Sequence, residues 1–112
     1  MDLSSLSTIE PFTTLDGSTI RELHHTTAQS LAEASLGAGG STRRHFHRVS
    51  EEIYLILEGE GELEIDGDRR RVSAGDAALI PPGAWHAIVA ATDLRLLCCC
   101  SPPYSHEDTF FE

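Results

Sequence analysis

The sequence predicts an all-β fold, a sandwich or a barrel. Three observations predict it. Short apolar runs rich in β-branched and aromatic residues recur along the chain, as in Ile53–Leu57 and Ala87–Val89. Turn signals separate them about every 8–12 residues. No segment keeps a helical period for more than two turns, so helix is expected only as short turns.

The elements follow in order. Residues 1–18 are a Ser/Thr-rich lead with Pro11 and an Asp16-Gly17 turn signal. Thr19–His24 alternates and reads either as a strand or as one short helical turn. Ser30–Leu36 reads as a strand ended by Gly37-Ala38-Gly39-Gly40, a turn without the spacing or the following Lys of a phosphate loop. Arg43–Arg48 is a short polar strand. Glu52–Glu58 is apolar on both faces and is expected to pack on both sides. Gly59 and Gly61 bracket a tight connection. Glu62-Leu63-Glu64-Ile65 alternates strictly, and Asp66-Gly67 is a strong hairpin signal. With those two residues as the loop, Glu64 faces Arg69 and Glu62 faces Arg71, opposite-charge pairs contributing ~0.2–1 kcal/mol each. Gly75-Asp76 is a turn, Ala77–Ile80 a strand, and Pro81-Pro82-Gly83 a sharp loop. Trp85–Ala91 and Leu94–Cys100 are further strands, giving eight or nine in all. The chain is expected to be one domain, residues 1–112, with a core at about 29–100 and a tail at 101–112. Tyr104, Phe110 and Phe111 give the tail enough apolar surface to lie on the domain or on a partner chain.

Composition narrows the function classes. The 112 residues hold 18 Asp plus Glu against 8 Lys plus Arg, a net charge of −10. Nucleic acid and anionic membrane are therefore poor partners. All the cations are Arg, which removes Schiff-base and lysine-nucleophile chemistry. No apolar run reaches the ~18–20 residues of a membrane span, and Met1–Glu10 shows no secretory pattern. The three cysteines, Cys98, Cys99 and Cys100, are consecutive and have neither disulfide-framework nor zinc spacing. They read as buried strand residues in a reducing, cytoplasmic setting. Cys98 and Cys100 share one face of their strand, with Cys99 opposite.

The chemistry concentrates in histidine and glutamate. His45 and His47 are two apart on a strand, so they share a face with ring bases ~6.6 Å apart and can converge on one ion. Glu52 opens the next strand and His86 the strand after the Pro-Pro-Gly loop. Imidazole and carboxylate together suit Fe(II), Mn(II), Ni(II), Cu(II) or Zn(II). One carboxylate against a divalent ion leaves a local charge of about +1, which would draw an anionic ligand.

These residues sit in a larger pattern. Gly39 stands six positions before His45-Phe46-His47; four residues then lead to Glu52 and six more to Gly59. Gly75 is followed after five residues by Pro81, then after one by Gly83 and after two by His86. This resembles the two motifs of the cupin superfamily, in a small single-domain form. The resemblance implies a double-stranded β-helix (jelly-roll) barrel with one divalent metal held by His45, His47, Glu52 and His86. Ala90 stands where the second motif usually ends in Asn, which puts a pocket contact in doubt but no ligand. Glu51 is the alternative carboxylate. Strand parity favours Glu52, which shares a face with Tyr54 and Ile56. Tyr54, Ile56, Trp85, Ile88 and Phe46 are candidates for the pocket wall, and Tyr54 for a ligand-orienting or acid role. His24, His25 and His106 match no motif and are expected at the surface. The resemblance implies a metal-dependent enzyme, dioxygenase- or isomerase-like, acting on a small organic molecule. The other class is a non-catalytic metabolite-binding or sensing module. A homodimer is expected, formed by lending an N-terminal strand or by packing sheet on sheet.

Overall fold

The computed structural model describes residues 1–14 and 16–112. Among these residues eleven strands run β1 (Phe12–Thr13), β2 (Thr19–His25), β3 (Ser30–Leu36), β4 (His45–His47), β5 (Glu51–Glu58), β6 (Glu60–Ile65), β7 (Asp68–Ser73), β8 (Ala77–Ile80), β9 (His86–Ala90), β10 (Leu94–Ser101) and β11 (Thr109–Phe111). The helical content of the described residues is one 3-10 turn, His106–Asp108. The strands form two antiparallel sheets. One has six strands in the order β1-β2-β3-β10-β5-β8, the other five in the order β11-β4-β9-β6-β7. No helix among the described residues is long and apolar enough to cross a membrane.

Each sheet turns one face inward, and the inward residues make the core. Ile80, Ile88, Leu94 and Leu96 are almost fully buried between the layers, with Leu36, Ile56, Leu63 and Val72 around them. At about 25 cal/mol per Å², burying such side chains is the main force closing the two sheets. The strand count exceeds the eight or nine expected because the lead and the tail each add a short strand. Thr19–His25 is a strand, not a helical turn, and it bulges between Glu22 and His24. The tail folds back on its own barrel, where β11 pairs β4.

The hairpin β6–β7 has the expected register, Glu64 opposite Arg69 and Glu62 opposite Arg71. Asp66 and Gly67 both have positive φ, 49° and 86°, the turn that matches the twist of its strands. The ion pairs differ from that register. Arg69 reaches Glu62 and Arg71 reaches Glu60, each one diagonal step away, and Arg70 takes Asp68. Glu64 is drawn off by Arg44 at 2.7 Å and by the Gly67 N–H at 2.8 Å. Arg side chains are long enough for the diagonal neighbour.

Strand β5 also corrects an expectation. Glu52, Tyr54 and Ile56 are buried, but Ile53 is 42% and Leu55 36% exposed. A sheet in a two-layer barrel has one covered face, so the outer half of this apolar run meets solvent in the single chain. Gly59 ends the strand with φ at 88°, and a Cβ there would run into the Asp93 carbonyl. Close backbone approach requires Gly at this motif position.

Candidate metal centre

Topology assembles the site from three places in the chain. Strand β4 contributes His45 and His47, both facing inward, and His45 lies directly opposite His86 on β9. Strand β5, in the other sheet, carries Glu52 across the interior. All four are buried, His86 completely. The rings of His45 and His86 are 4.3 Å apart, and those of His47 and His86 5.5 Å. Ligand atoms of the three histidines lie within 4.8 Å of one another. His45, His47 and His86 are thus placed to hold a metal ion. Glu52 Oε1 lies 3.4 Å from His47 Nε2 and 3.3 Å from His86 Nε2. Glu51 is exposed on the outer face.

The hydrogen bonds behind the rings orient them. His45 Nδ1 is 2.7 Å from the Arg43 carbonyl, and His86 Nδ1 is 3.0 Å from the Ala84 carbonyl. His47 Nδ1 faces the Asp108 carbonyl at 3.4 Å and Thr109 Oγ1 at 3.3 Å. A carbonyl oxygen only accepts, so Nδ1 carries the proton in each ring, and in the neutral ring Nε2 keeps its lone pair. That is the arrangement of metal-binding histidines, whose second nitrogen is held by an acceptor behind them. Two polar atoms in the centre, Glu52 Oε1 and His86 Nε2, are buried with no hydrogen-bond partner among the described residues. Buried polar atoms rarely go unpaired, and an ion between them satisfies both. The donor set therefore fits a divalent metal.

Electrostatics agree with the geometry. Burial works to raise the Glu52 carboxyl, but the adjacent His47 and His86 imidazoles hold it down at about 2. Glu52 is therefore ionised at neutral pH. Burial lowers His45, helped by the neighbouring His86. Burial pulls His47 the same way, but the Glu52 carboxylate carries it above its ordinary value. Burial, reinforced by the Glu52 charge, keeps the Tyr54 hydroxyl protonated far above its ordinary range. The Cys100 thiol, raised by burial, donates to Glu52 Oε2 at 3.3 Å.

The candidate wall residues divide. Tyr54 lines a cavity of about 70 Å³ beside His45, His47 and Glu52. Its ring is 5.9 Å from that of His86. Ile56 and Ile88 lie in the hydrophobic core, outside the cavity lining. Phe46 and Trp85 are on the outside. Phe46 stands between two inward histidines and so points outward, where it packs on Trp85 at 4.7 Å and Phe110 at 5.1 Å. Cys98 and Cys100 line the cavity, and Cys99 is exposed on the other face. His24, His25 and His106 are at the surface.

Sequence reasoning missed the parts that come from far along the chain. Asp16, Ser18 and Glu22 reach the cavity from the lead and β2, and Tyr104 from the tail, its ring 5.8 Å from that of His47. Asp108 was also missed. Its carboxylate accepts the consecutive backbone N–H groups of Arg48, Val49 and Ser50, each at 3.1 Å, and so fixes the loop between His47 and Glu52. The tail aromatics signalled packing, but no one-dimensional pattern marks an Asp that captures a loop ~60 residues away.

Comparison with known proteins agrees with the fold. Residues 32–100 match the family model described as a Cupin domain. An uncharacterised protein of Methanocaldococcus jannaschii, MJ1618, is 48% identical over 108 residues, covering 90% of this chain and 86% of that protein. The oxalate-binding protein of Thermotoga maritima is 35% identical over 79 residues, 69% of this chain and 65% of that one. The structure of KdgF from Halomonas sp. superposes with a TM-score of 0.86 at 22% identity, covering 96% and 97% of the two chains.

Proposed function

Because the chain belongs to the cupin family, we propose that it is a metal-dependent enzyme acting on a small organic molecule, with one divalent ion held by His45, His47, Glu52 and His86. The ion is Fe, Mn, Ni, Cu or Zn, the metals that this mixed imidazole and carboxylate set accepts. The observation that carries the reading is the pair of buried unpartnered atoms, Glu52 Oε1 and His86 Nε2, among histidines whose Nδ1 atoms are all directed at acceptors. When bound, the ion supplies a Lewis acid for a carbonyl, enolate or hydroxyl oxygen of the ligand.

The chain's own residues supply the rest. Tyr54 presents a protonated hydroxyl to the cavity, a donor that orients a ligand oxygen or passes it a proton. Cys100 holds the outer oxygen of Glu52, leaving Oε1 turned toward the histidines. Ala32, Ala34 and Cys98 give the cavity an apolar wall that limits water around the reacting group. The reaction is an oxygenation or an isomerisation. To test it, each of the five metals is supplied to metal-free protein, and O2 uptake and isomerisation of small carbonyl compounds are followed. Turnover with one metal and none without it supports the enzyme. Ligand binding with no turnover under any metal overturns it in favour of a metabolite-binding module, the alternative suggested by the oxalate-binding relative.

The same reading includes assembly and location. The outward row of Ile53, Leu55 and Leu79 is exposed. It suits sheet-on-sheet packing of two copies, an association that would cover it. The free thiols of Cys98, Cys99 and Cys100 suit a reducing cytoplasm.

A further inference from the structure

We infer that the ligand of this cavity is a small hydroxy or carbonyl compound that is uncharged or positively charged, not a carboxylate or phosphate anion. The inference rests on reading His45, His47, Glu52 and His86 as the metal site, and it reverses the charge expected from those four residues alone. Counted alone, they leave a divalent ion net positive. The cavity as folded also includes Asp16 and Glu22. With Glu52, three carboxylates outweigh the two charges of the ion.

The register shows why Glu22 and Tyr54 share one space. On the inward face of the six-stranded sheet, Glu22 lies opposite Ala32, Ala32 opposite Cys98, and Cys98 opposite Tyr54. The row spans three strand spacings, about 14 Å. Its two middle members are small, so the floor between Glu22 and Tyr54 stays open. At one end is the Tyr54 hydroxyl. The residue is 5% exposed and lines the cavity. A tyrosine hydroxyl at the cavity wall donates to a ligand oxygen or accepts from a ligand O–H or N–H. At the other end is Glu22, and Asp16 joins the lining from the lead. Asp16 Oδ1 is fixed by the Ser18 backbone N–H at 2.9 Å and by the Ser18 hydroxyl at 2.7 Å.

No arginine answers these charges, and Glu22 has only the surface imidazole of His25 beside it, at 3.2 Å. None of the Arg residues lines the cavity. Arg21, Arg44, Arg69, Arg70, Arg71 and Arg95 are ion-paired elsewhere. Arg43 lies over the Phe111 ring at 4.3 Å, and Arg48 faces the separate groove beside Pro102 and Asp108. The chain has no Lys. A ligand carboxylate would therefore meet like charge with no clamp other than the ion, a repulsion that a low-dielectric cavity strengthens. The volume, about 70 Å³, suits a small organic molecule.

The test uses three probes of one skeleton on zinc-loaded full-length protein: lactate, lactamide and 1-amino-2-propanol, titrated by NMR or calorimetry. Lactamide and 1-amino-2-propanol are expected to bind at least about tenfold tighter than lactate, since like-charge juxtaposition costs specificity in this way. Glu22→Gln is expected to narrow that gap by about threefold, and Asp16→Asn, which keeps the Oδ1 acceptor, to narrow it similarly. Lactate binding as tightly as lactamide, or tighter, overturns the inference. Zinc uptake is read separately. A chain that takes up no zinc contradicts the metal reading alone, and the order of lactamide over lactate in the metal-free chain still decides the ligand class.

Discussion

The two faces of strands β4 and β5 show opposite chemistry only one residue apart. Inward stand His45, His47 and Glu52, buried ionisable groups that converge on one point. Outward stand Phe46 on its aromatic stack, Glu51 in solvent, and Ile53 and Leu55 half covered. Burying one carboxylate and three imidazoles costs free energy unless each finds a partner. The acceptors behind the rings meet part of that need, and the two unpartnered atoms mark what is left for an ion. The outward face carries no such demand, so its contribution is packing alone. Strand parity, more than residue type, separates function from scaffold here.

The largest test of that contrast is at the ligands. His86→Ala is expected to abolish stoichiometric metal binding, because it removes a fully buried donor opposite His45. A metal content equal to wild type, by elemental mass spectrometry, would contradict its role. Next comes the pair one residue apart. Glu52→Ala is expected to weaken metal binding by about a hundredfold, whereas Glu51→Ala changes it less than about twofold. Equal losses in competition titrations would dissolve the distinction between the faces. Asp108→Ala tests the supporting layer. With three N–H groups released, metal affinity is expected to fall about tenfold. Asp108→Asn keeps one acceptor and should recover part of it. Phe46→Ala probes the outer face, where stability is expected to drop by about 2 kcal/mol in denaturant titrations while metal affinity holds. A loss of metal there would link the faces.

The smallest effect concerns pH. Arg44 holds Glu64 below its ordinary value by direct hydrogen bonds. A carboxylate lowered in the folded state stabilises above its unfolded value, and that contribution is lost as pH falls through the folded one. The stability difference between wild type and Glu64→Gln is therefore expected to be complete near neutral pH and to shrink below about pH 4.5. A difference independent of pH would show that Glu64 acts by shape and not by charge.

Much of the fold was legible because it is encoded locally. Strand alternation, the Asp66-Gly67 turn and the Pro-Pro-Gly break each depend on a few neighbouring residues, and the β6–β7 register followed from them. The spacing of His45, His47, Glu52 and His86 was legible through motifs, and the structure brings the four together. The cavity wall was not. Phe46 and Trp85 are adjacent in sequence to His45, His47 and His86, and that adjacency drew them into the expected wall, but neighbours along a strand face opposite ways. The real wall draws on Asp16, Glu22 and Tyr104, placed there by sheet order and a returning tail. The outer face of β5 misled for a related reason, since the apolar run did not show that only one of its faces is covered within the chain. Light scattering bears on that surface. A homodimer gives a mass of about 24 kDa, and a value near the chain mass of 12.2 kDa excludes it.

The proposed function stands on one divalent ion held at the inward face. The most direct measurement is elemental mass spectrometry of untagged protein purified without chelator, with His86→Ala alongside. Close to one Fe, Mn, Ni, Cu or Zn is expected per wild-type chain, and nearly none in the variant. No metal in the wild type, and none taken up on titration with any of the five, would contradict it.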